Sequence, residues 1–262
     1  MAAVGERQIS YDARGLAEPN AEVPKVSEVD GAKAVFDATD LTTRQINLEL
    51  RWLLYEQGVT DVTVKNPGSK HSIGVGILTR CKITFEGSLG YFGCGLIDGP
   101  EIHITGRVGW SACENMMSGV VVIEGNAGSL TGAALRGGDL VVKGRVGARS
   151  GIDQKGGTII TLGSAGSMNG FMMQRGRQVI CGDVGPGLGD SMYDGEIYVG
   201  GKVKSLGIDC VPGEWTDADT EFIERKFRIY GLGDPPELQK FVCGKQLYNY
   251  DTLEPSERKL VL

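Results

Sequence analysis

Six cysteines, two histidines and a scatter of aspartates are the residues with chemistry to offer in this 262-residue chain. Cys81, Cys94, Cys113, Cys181, Cys210 and Cys243 include no C-x-x-C pair, the spacing expected of a zinc or redox motif. Cys94 and Cys113 stand 19 residues apart, a spacing that suits a redox pair or half of a metal site. The plainer reading is two reduced, small apolar side chains stacked at a corner. With His71 and His103 as the whole supply of imidazole, a histidine metal site or triad has little material. Asp98, Asp153, Asp190 and Asp194 would have to meet in pairs to work as a glycosidase, but they fall in different columns or distant units of the repeat described next. They read as solvated corner charges. Gly93-Cys94-Gly95 and Gly185-Pro186-Gly187-Leu188-Gly189 superficially look like nucleotide loops. A phosphate loop, however, needs a strand before it and a helix after it, and each of these glycines has a counterpart 19 residues away. No catalytic, cofactor-binding or metal-ligating residue is therefore assigned.

What must position these residues is a repeat. Gly87, Gly106, Gly125, Gly144, Gly163, Gly182 and Gly201 are successive members of a 19-residue series. Further files run through Gly90 to Gly185, Gly119 to Gly195 and Gly132 to Gly189 with the same period. Four positions before the first file stand Ile83, Ile102, Val121, Leu140, Ile159, Gln178 and Ile197. Two before it stand Phe85, Ile104, Ile123, Val142, Thr161, Ile180 and Val199. Apolar residues at alternate positions mark strands with one face inward. Nineteen residues are too few for a strand–helix–strand crossover, yet enough for one coil of a parallel β-helix. The reading is a mainly β protein, a single-stranded right-handed parallel β-helix of about seven coils, roughly 34 Å long at the strand spacing. The left-handed form would want 18-residue coils with an aliphatic at every sixth position, and neither is present.

The domain plan is an extended arm over 1–32, a strand and capping helix over 33–60, the β-helix over 61–210 and an extension over 211–262. Gly74-Val75-Gly76 lies 19 before Gly93-Cys94-Gly95, so the repeat is expected to begin there. Thr42 or Asp40 as N-cap, Gln45 three residues after Thr42, then Ile46, Leu50, Leu53 and Leu54 with Gly58 as a stop, predicts a helix. Residues 40–58 are expected to cover the open N-terminal end of the rod. After Gly201 the pattern is expected to lapse, with a lysine where glycine 204 would stand. Residues 216–230 suggest a short helix or an amphipathic segment, broken by Asp234-Pro235-Pro236. Leu238, Phe241, Val242, Leu247, Tyr248 and Tyr250 suggest a tail wrapped on the rod or on another subunit.

Hydrophobic content of 41% supports a core, while 41 glycines and 7% aromatics fit a thin, stacked one. A net charge of −6 and a pI near 5.1 argue against nucleic acid as a partner. Nothing resembles a signal peptide or an 18-residue apolar span, so a cytoplasmic protein is expected. Two surface columns favour docking. Three before the first glycine file, on the outer face, stand Thr84, His103, Val122, Val141, Ile160, Val179 and Tyr198, a stripe needing cover from a partner or from the chain's own arm. Met116, Met117, Phe171, Met172, Met173 and Met192 gather at one corner, an adaptable surface if half of them point outward.

The paired glycines of each coil resemble the GXGXG β-helix domain of glutamate synthase large chains, over about residues 60–210. Cys113-Glu114-Asn115-Met116-Met117-Ser118-Gly119, Gly182-Asp183-Val184-Gly185 with Leu188-Gly189-Asp190-Ser191, and Val203 to Cys210 are similar to the stand-alone β-helix subunits of N-methylglutamate synthase and its relatives. The coil period does not force these segments. The resemblance implies a scaffold without catalytic residues and with no cofactor of its own. Its partners would be a glutamine amidotransferase-like subunit and an FMN and iron–sulfur, glutamate synthase-like subunit, in a hetero-oligomer making N-methylglutamate from methylamine and glutamate. The residues after about 215 and the N-terminal arm depart from the family pattern, and Met1-Ala2-Ala3 does not match the N-terminal cysteine of the amidotransferase part. Two alternatives stand beside this reading: a β-helix subunit of a formylmethanofuran dehydrogenase or formyltransferase/hydrolase complex, and an independent carbohydrate-active β-helix enzyme.

Overall fold

The computed structural model of the chain describes residues 22–244. Its spine is a run of parallel strands: β2 (Lys33–Asp37), β3 (Asp61–Lys65), β4 (Lys82–Glu86), β5 (Glu101–Ile104) and β6 (Val120–Ile123), with β1 (Glu28–Asp30) ahead of them. The run continues through β7 (Asp139–Val142), β8 (Lys155–Thr161), β9 (Arg175–Ile180) and β11 (Glu196–Val199). A shorter pair on a second side joins β10 (Val184–Leu188) to β12 (Val203–Leu206), also parallel. The register follows Ile83, Ile102, Val121, Leu140, Ile159, Gln178 and Ile197 as direct neighbours. Each step is therefore 19 residues, and the chain is a parallel β-helix.

The core is a column per rung. Ile83, Ile102, Val121, Leu140, Ile159 and Ile197 are all buried, as are Phe85, Ile104, Ile123 and Val142 two residues on. Each such aliphatic contributes about 1.5–3 kcal/mol through removal from water. The glycine file at Gly106 and Gly125 is required by close approach rather than by backbone conformation. A Cβ on Gly125 would stand 2.8 Å from the carbonyl oxygen of Gly106 on the coil beneath.

The first coil departs from the expected register. Val62 pairs with Ile83, a step of 21, and Cys94 donates its amide to Ile73 while Gly76 donates to Gly95. Gly74 thus lies beside Cys94, not Gly93, because the coil between β3 and β4 holds extra residues. The strand ahead of the helix, β2, is itself a rung of the main sheet. At the other end the pattern expected to lapse continues, since Val203 pairs with Val184 and Ser205 with Pro186.

Both ends of the sheet finish in antiparallel strands. β1 turns back antiparallel on β2. Helix α1 (Thr43–Arg51) begins with Thr42 and Gln45 bonded reciprocally, the amide of Gln45 to Thr42 Oγ1 at 3.3 Å and the amide of Thr42 to Gln45 Oε1 at 2.9 Å. It runs on through a wider π-helical turn at Trp52–Glu56. Ile46, Leu50, Leu53 and Leu54 join the core, and Asn47 bonds both the carbonyl of Ser72 and the amide of Gly74. The helix therefore covers the first coil. Glu49, fully buried, accepts the amides of Lys25 and Ser27 and pins the segment before β1 to α1.

At the far end, β13 (Cys210–Pro212), helix α2 (Asp217–Tyr230) and β14 (Gln239–Cys243) form one excursion. β14 pairs antiparallel with β11 and with β13, closing the last rung. Leu247, Tyr248 and Tyr250 lie outside the described residues, as does most of the expected arm.

Candidate functional site

The outer stripe is covered by the chain itself. Val141, Ile160, Val179 and Tyr198 are buried against Phe222, Ile223 and Phe227 of α2. The spacing of those three residues gives the helix one apolar face, and Thr216 with Asp219 caps its start. Beneath it lies a polar lock. Tyr198 Oη donates to Asp219 Oδ1 at 2.6 Å, and Lys240 Nζ reaches Asp219 at 2.9 Å and Glu196 at 2.8 Å. Arg177 stacks 4.3 Å from the Phe222 ring and bonds Glu196 at 2.5 Å. Burial alone would raise the Asp219 carboxyl, but bonds from Tyr198, Lys240 and Thr216 bring it down to about 2. The same seam frames a cleft of about 750 Å³ lined by Arg175, Arg177, Arg225 and Lys226 against Asp139, Asp194 and Glu196. Lys226 is already paired with Asp139 at 2.6 Å, and Tyr230 donates to the same carboxylate. These charges hold α2 down.

A different face is open. Between the second-side strand and the next rung, the coils from Ser111 onward make two overlapping turns with the same hydrogen bonding. In one coil Glu114 bonds back to Ser111 and Met116 to Cys113; in the next, Ala133 bonds to Leu130 and Leu135 to Gly132. The third residue of each turn has positive φ, as type II turns require. Glycine would be the cheap choice, and Gly132, Gly151 and Gly170 take it where Ile159, Gln178 and Ile197 crowd the inside. Phe92, Cys94 and Leu96 adopt the same backbone at φ 57°, at about 1–2 kcal/mol each. Phe92 and Leu96 are nevertheless about half exposed, at 49% and 55%. His71, Tyr91 and Trp110 stack on consecutive coils at 4.6 and 5.4 Å, with Trp110 exposed. Leu78, Met117 and Met172 add further exposed apolar surface. Strain together with exposed apolar side chains marks this turn face as the candidate docking surface.

The sequence-flagged residues sort accordingly. Met116, Met173 and Met192 point inward, leaving Met117 and Met172 outside. Cys94 and Cys113 are fully buried on neighbouring coils; burial raises Cys94 to about 12 and lifts Cys113 well above the usual thiol value, so both are inert thiols. His71 accepts the amide of Tyr91 on Nδ1 at 2.8 Å, and His103 bonds Glu124. Asp98 accepts from Ser118, Asp153 pairs with Lys155, and Asp190 accepts from Ser191. Among the described residues no group of three or more His, Cys, Asp and Glu gathers as a metal ion would need, and no helix is long and apolar enough to cross a membrane. The stretches 188–191 and 203–210, singled out separately in sequence, are joined in space: Gly207 donates to Leu188 and Ser191 to Ile208, each at 2.8 Å. Ile208 between them is 71% exposed.

Sequence reasoning missed the buried pair Gln154 and Gln178. Gln178 Nε2 donates to Gln154 Oε1 at 3.1 Å, and Gln154 Nε2 serves the carbonyls of Gly156 and Gly157 where β8 is irregular. The signal was a lone glutamine in an aliphatic column.

No protein-family model matches the chain. A stretch of 66 residues is 38% identical to Protein GlxC of Rhizobium meliloti (strain 1021). That stretch takes in 24% of this chain and 29% of the length of that protein, so the likeness is local.

Proposed function

We propose that this chain is a scaffold subunit of a glutamate-synthase-type complex. It would join a glutamine amidotransferase-like subunit to an FMN and iron–sulfur synthase subunit, foremost in the synthesis of N-methylglutamate from methylamine and glutamate. The observation that carries the reading is the turn face: strained, exposed apolar side chains lined up along a rod. A rod with such a face is suited to holding two partners at a fixed separation. The resemblance of the 113–119, 188–191 and 203–210 segments supports the family, since Met117, Leu206 and Ile208 within them are exposed. The local likeness to Protein GlxC supports it loosely. In this reading the flavin, the cluster and the glutaminase nucleophile belong to partners.

The test is co-expression of this chain with candidate amidotransferase-like and FMN synthase-like subunits. A three-component complex is expected, with glutaminase and synthase activities coupled when the chain is present and uncoupled when it is left out. Coupling that persists without this chain, or glutamine turnover by the purified chain alone, would overturn the scaffold reading.

A further inference from the structure

Cys210 and Cys243 are direct partners across the antiparallel pair β13–β14. The amide of Gly244 donates to the carbonyl of Asp209 at 2.7 Å, which makes the two cysteines a non-hydrogen-bonded pair. In such a pair the Cα atoms are about 4.5 Å apart and the side chains lie on the same face, close together. A disulfide accepts Cα separations of roughly 4.4–6.8 Å. Both side chains face the end of the core. The Cys243 thiol donates to the Met192 carbonyl at 3.1 Å, while a Cβ on Gly189 would stand 2.8 Å from Cys210 Sγ and 3.0 Å from Met192 Sδ. Neither cysteine is in a disulfide here.

We propose that Cys210 and Cys243 form a reversible disulfide that locks the α2 excursion onto the rod. The residues between them include all of α2, which covers the Val141–Tyr198 stripe, and Lys240, which anchors Asp219. Closing the bond ties the base of that excursion covalently; opening it leaves α2 held by packing and by the polar lock alone. The oxidant is a low-molecular-weight disulfide such as glutathione disulfide. Cys243, the less buried of the two, attacks as thiolate and releases one glutathione thiolate, giving a mixed disulfide. Cys210 then attacks the Cys243 sulfur as thiolate and releases the second glutathione. Two protein thiols lose two protons and two electrons, and one glutathione disulfide becomes two glutathione thiols. Burial raises the Cys210 thiol to about 11, so it serves as the resolving sulfur. Cys94 and Cys113, enclosed in the rod, give no comparable exchange.

The experiment incubates the folded full-length chain with glutathione disulfide, traps free thiols with N-ethylmaleimide, and maps peptides without reduction. The expected result is a Cys210–Cys243 linked peptide with the loss of two hydrogens, reversed by dithiothreitol. The melting temperature should rise by about 5–10 °C, and proteolysis within 213–238 should slow. Cys243→Ser should melt like the reduced protein and show neither the link nor the rise. The proposal fails if both cysteines are recovered separately alkylated, if Cys243 stalls as the glutathione adduct, or if linkage leaves melting and proteolysis unchanged.

Discussion

The hydroxyl of Tyr198 donates to Asp219 Oδ1 at 2.6 Å, beneath the surface and between two elements that are distant in sequence. Asp219 also accepts the amide of Thr216 at 2.7 Å as the capping residue of α2, and Lys240 of β14 as an ion-pair partner. One carboxylate thus starts the helix, seats it on rung β11 and ties it to the closing strand.

That arrangement gives α2 an acid-labile attachment. The Asp219 carboxyl sits at about 2 when folded, below the ordinary aspartate value near 3.9. A carboxyl lowered by folding lends stability that is complete above its unfolded pKa and is lost as pH falls through the folded one. The loss, about 2.5 kcal/mol, should therefore fall between roughly pH 4 and pH 2. Glu196 is shifted in the same direction, burial opposing and its bonds with Lys240, Arg177 and Tyr198 prevailing. Trp215, edge-on to Tyr198 at 5.7 Å, should report release of α2 by fluorescence in a Trp52→Phe, Trp110→Phe background. Asp219→Asn should be less stable than the parent at pH 7, by about 1–3 kcal/mol, and keep only the part of the acid transition that Glu196 contributes. A variant that keeps the full transition would place the titration elsewhere.

The stripe beneath α2 gives the second prediction. Val141 and Ile160 are fully buried against the helix, so Val141→Glu or Ile160→Glu would place an unpaired carboxylate under it. Release of α2 is expected, at a cost of about 3 kcal/mol or more. Circular dichroism should lose helix while keeping strand signal, and the stretch 213–238 should become protease-sensitive. Unchanged helix content would mean that the cover is not held by these contacts.

The repeat was legible because close backbone approach and strand alternation leave a fixed period in residue type. Gly125 and Val121 recur every coil for reasons that the next coil repeats. The helix at α1 was legible through Thr42 and Gln45. What covers the outer stripe was not, because Phe222, Ile223 and Phe227 lie far from Val141 in sequence and no period links them. The closing strands β13 and β14 pair antiparallel and outside the 19-residue period, so no repeat announces them. The turn face was half legible: the methionines signalled a corner, but which of them point outward depends on the alternation of φ through two linked turns. Gln178 was visible as an exception, and its partner Gln154 was not, since β8 breaks register between them.

Glycines of two kinds should respond differently to alanine. A Cβ on Gly125 would meet the Gly106 carbonyl oxygen at 2.8 Å and its carbon at 3.1 Å, both backbone atoms of a neighbouring coil. Gly125→Ala is therefore expected to separate two coils and destabilise by about 2 kcal/mol or more. Gly231, which ends α2 at φ 60°, has open space around it, so Gly231→Ala should cost about 1 kcal/mol through backbone strain alone. Denaturant melts of the two variants decide this. Equal losses would mean that crowding between coils is not what fixes the glycine file.

The turn face makes a prediction of opposite signs. Leu96 is 55% exposed and held at φ 57°, a conformation that asparagine adopts more readily. Asn115 already does so one coil on, at φ 55°. Leu96→Asn should therefore leave the rod as stable as before or raise its stability by about 0.5–1 kcal/mol. If the strained leucine is retained for docking, the same change should weaken association with the partner subunits about tenfold, a difference of about 1.4 kcal/mol. Melting of the isolated chain and quantitative co-purification read the two effects separately. A gain in stability with undiminished association would remove Leu96 from the interface, and a loss of both would make it an ordinary packing residue.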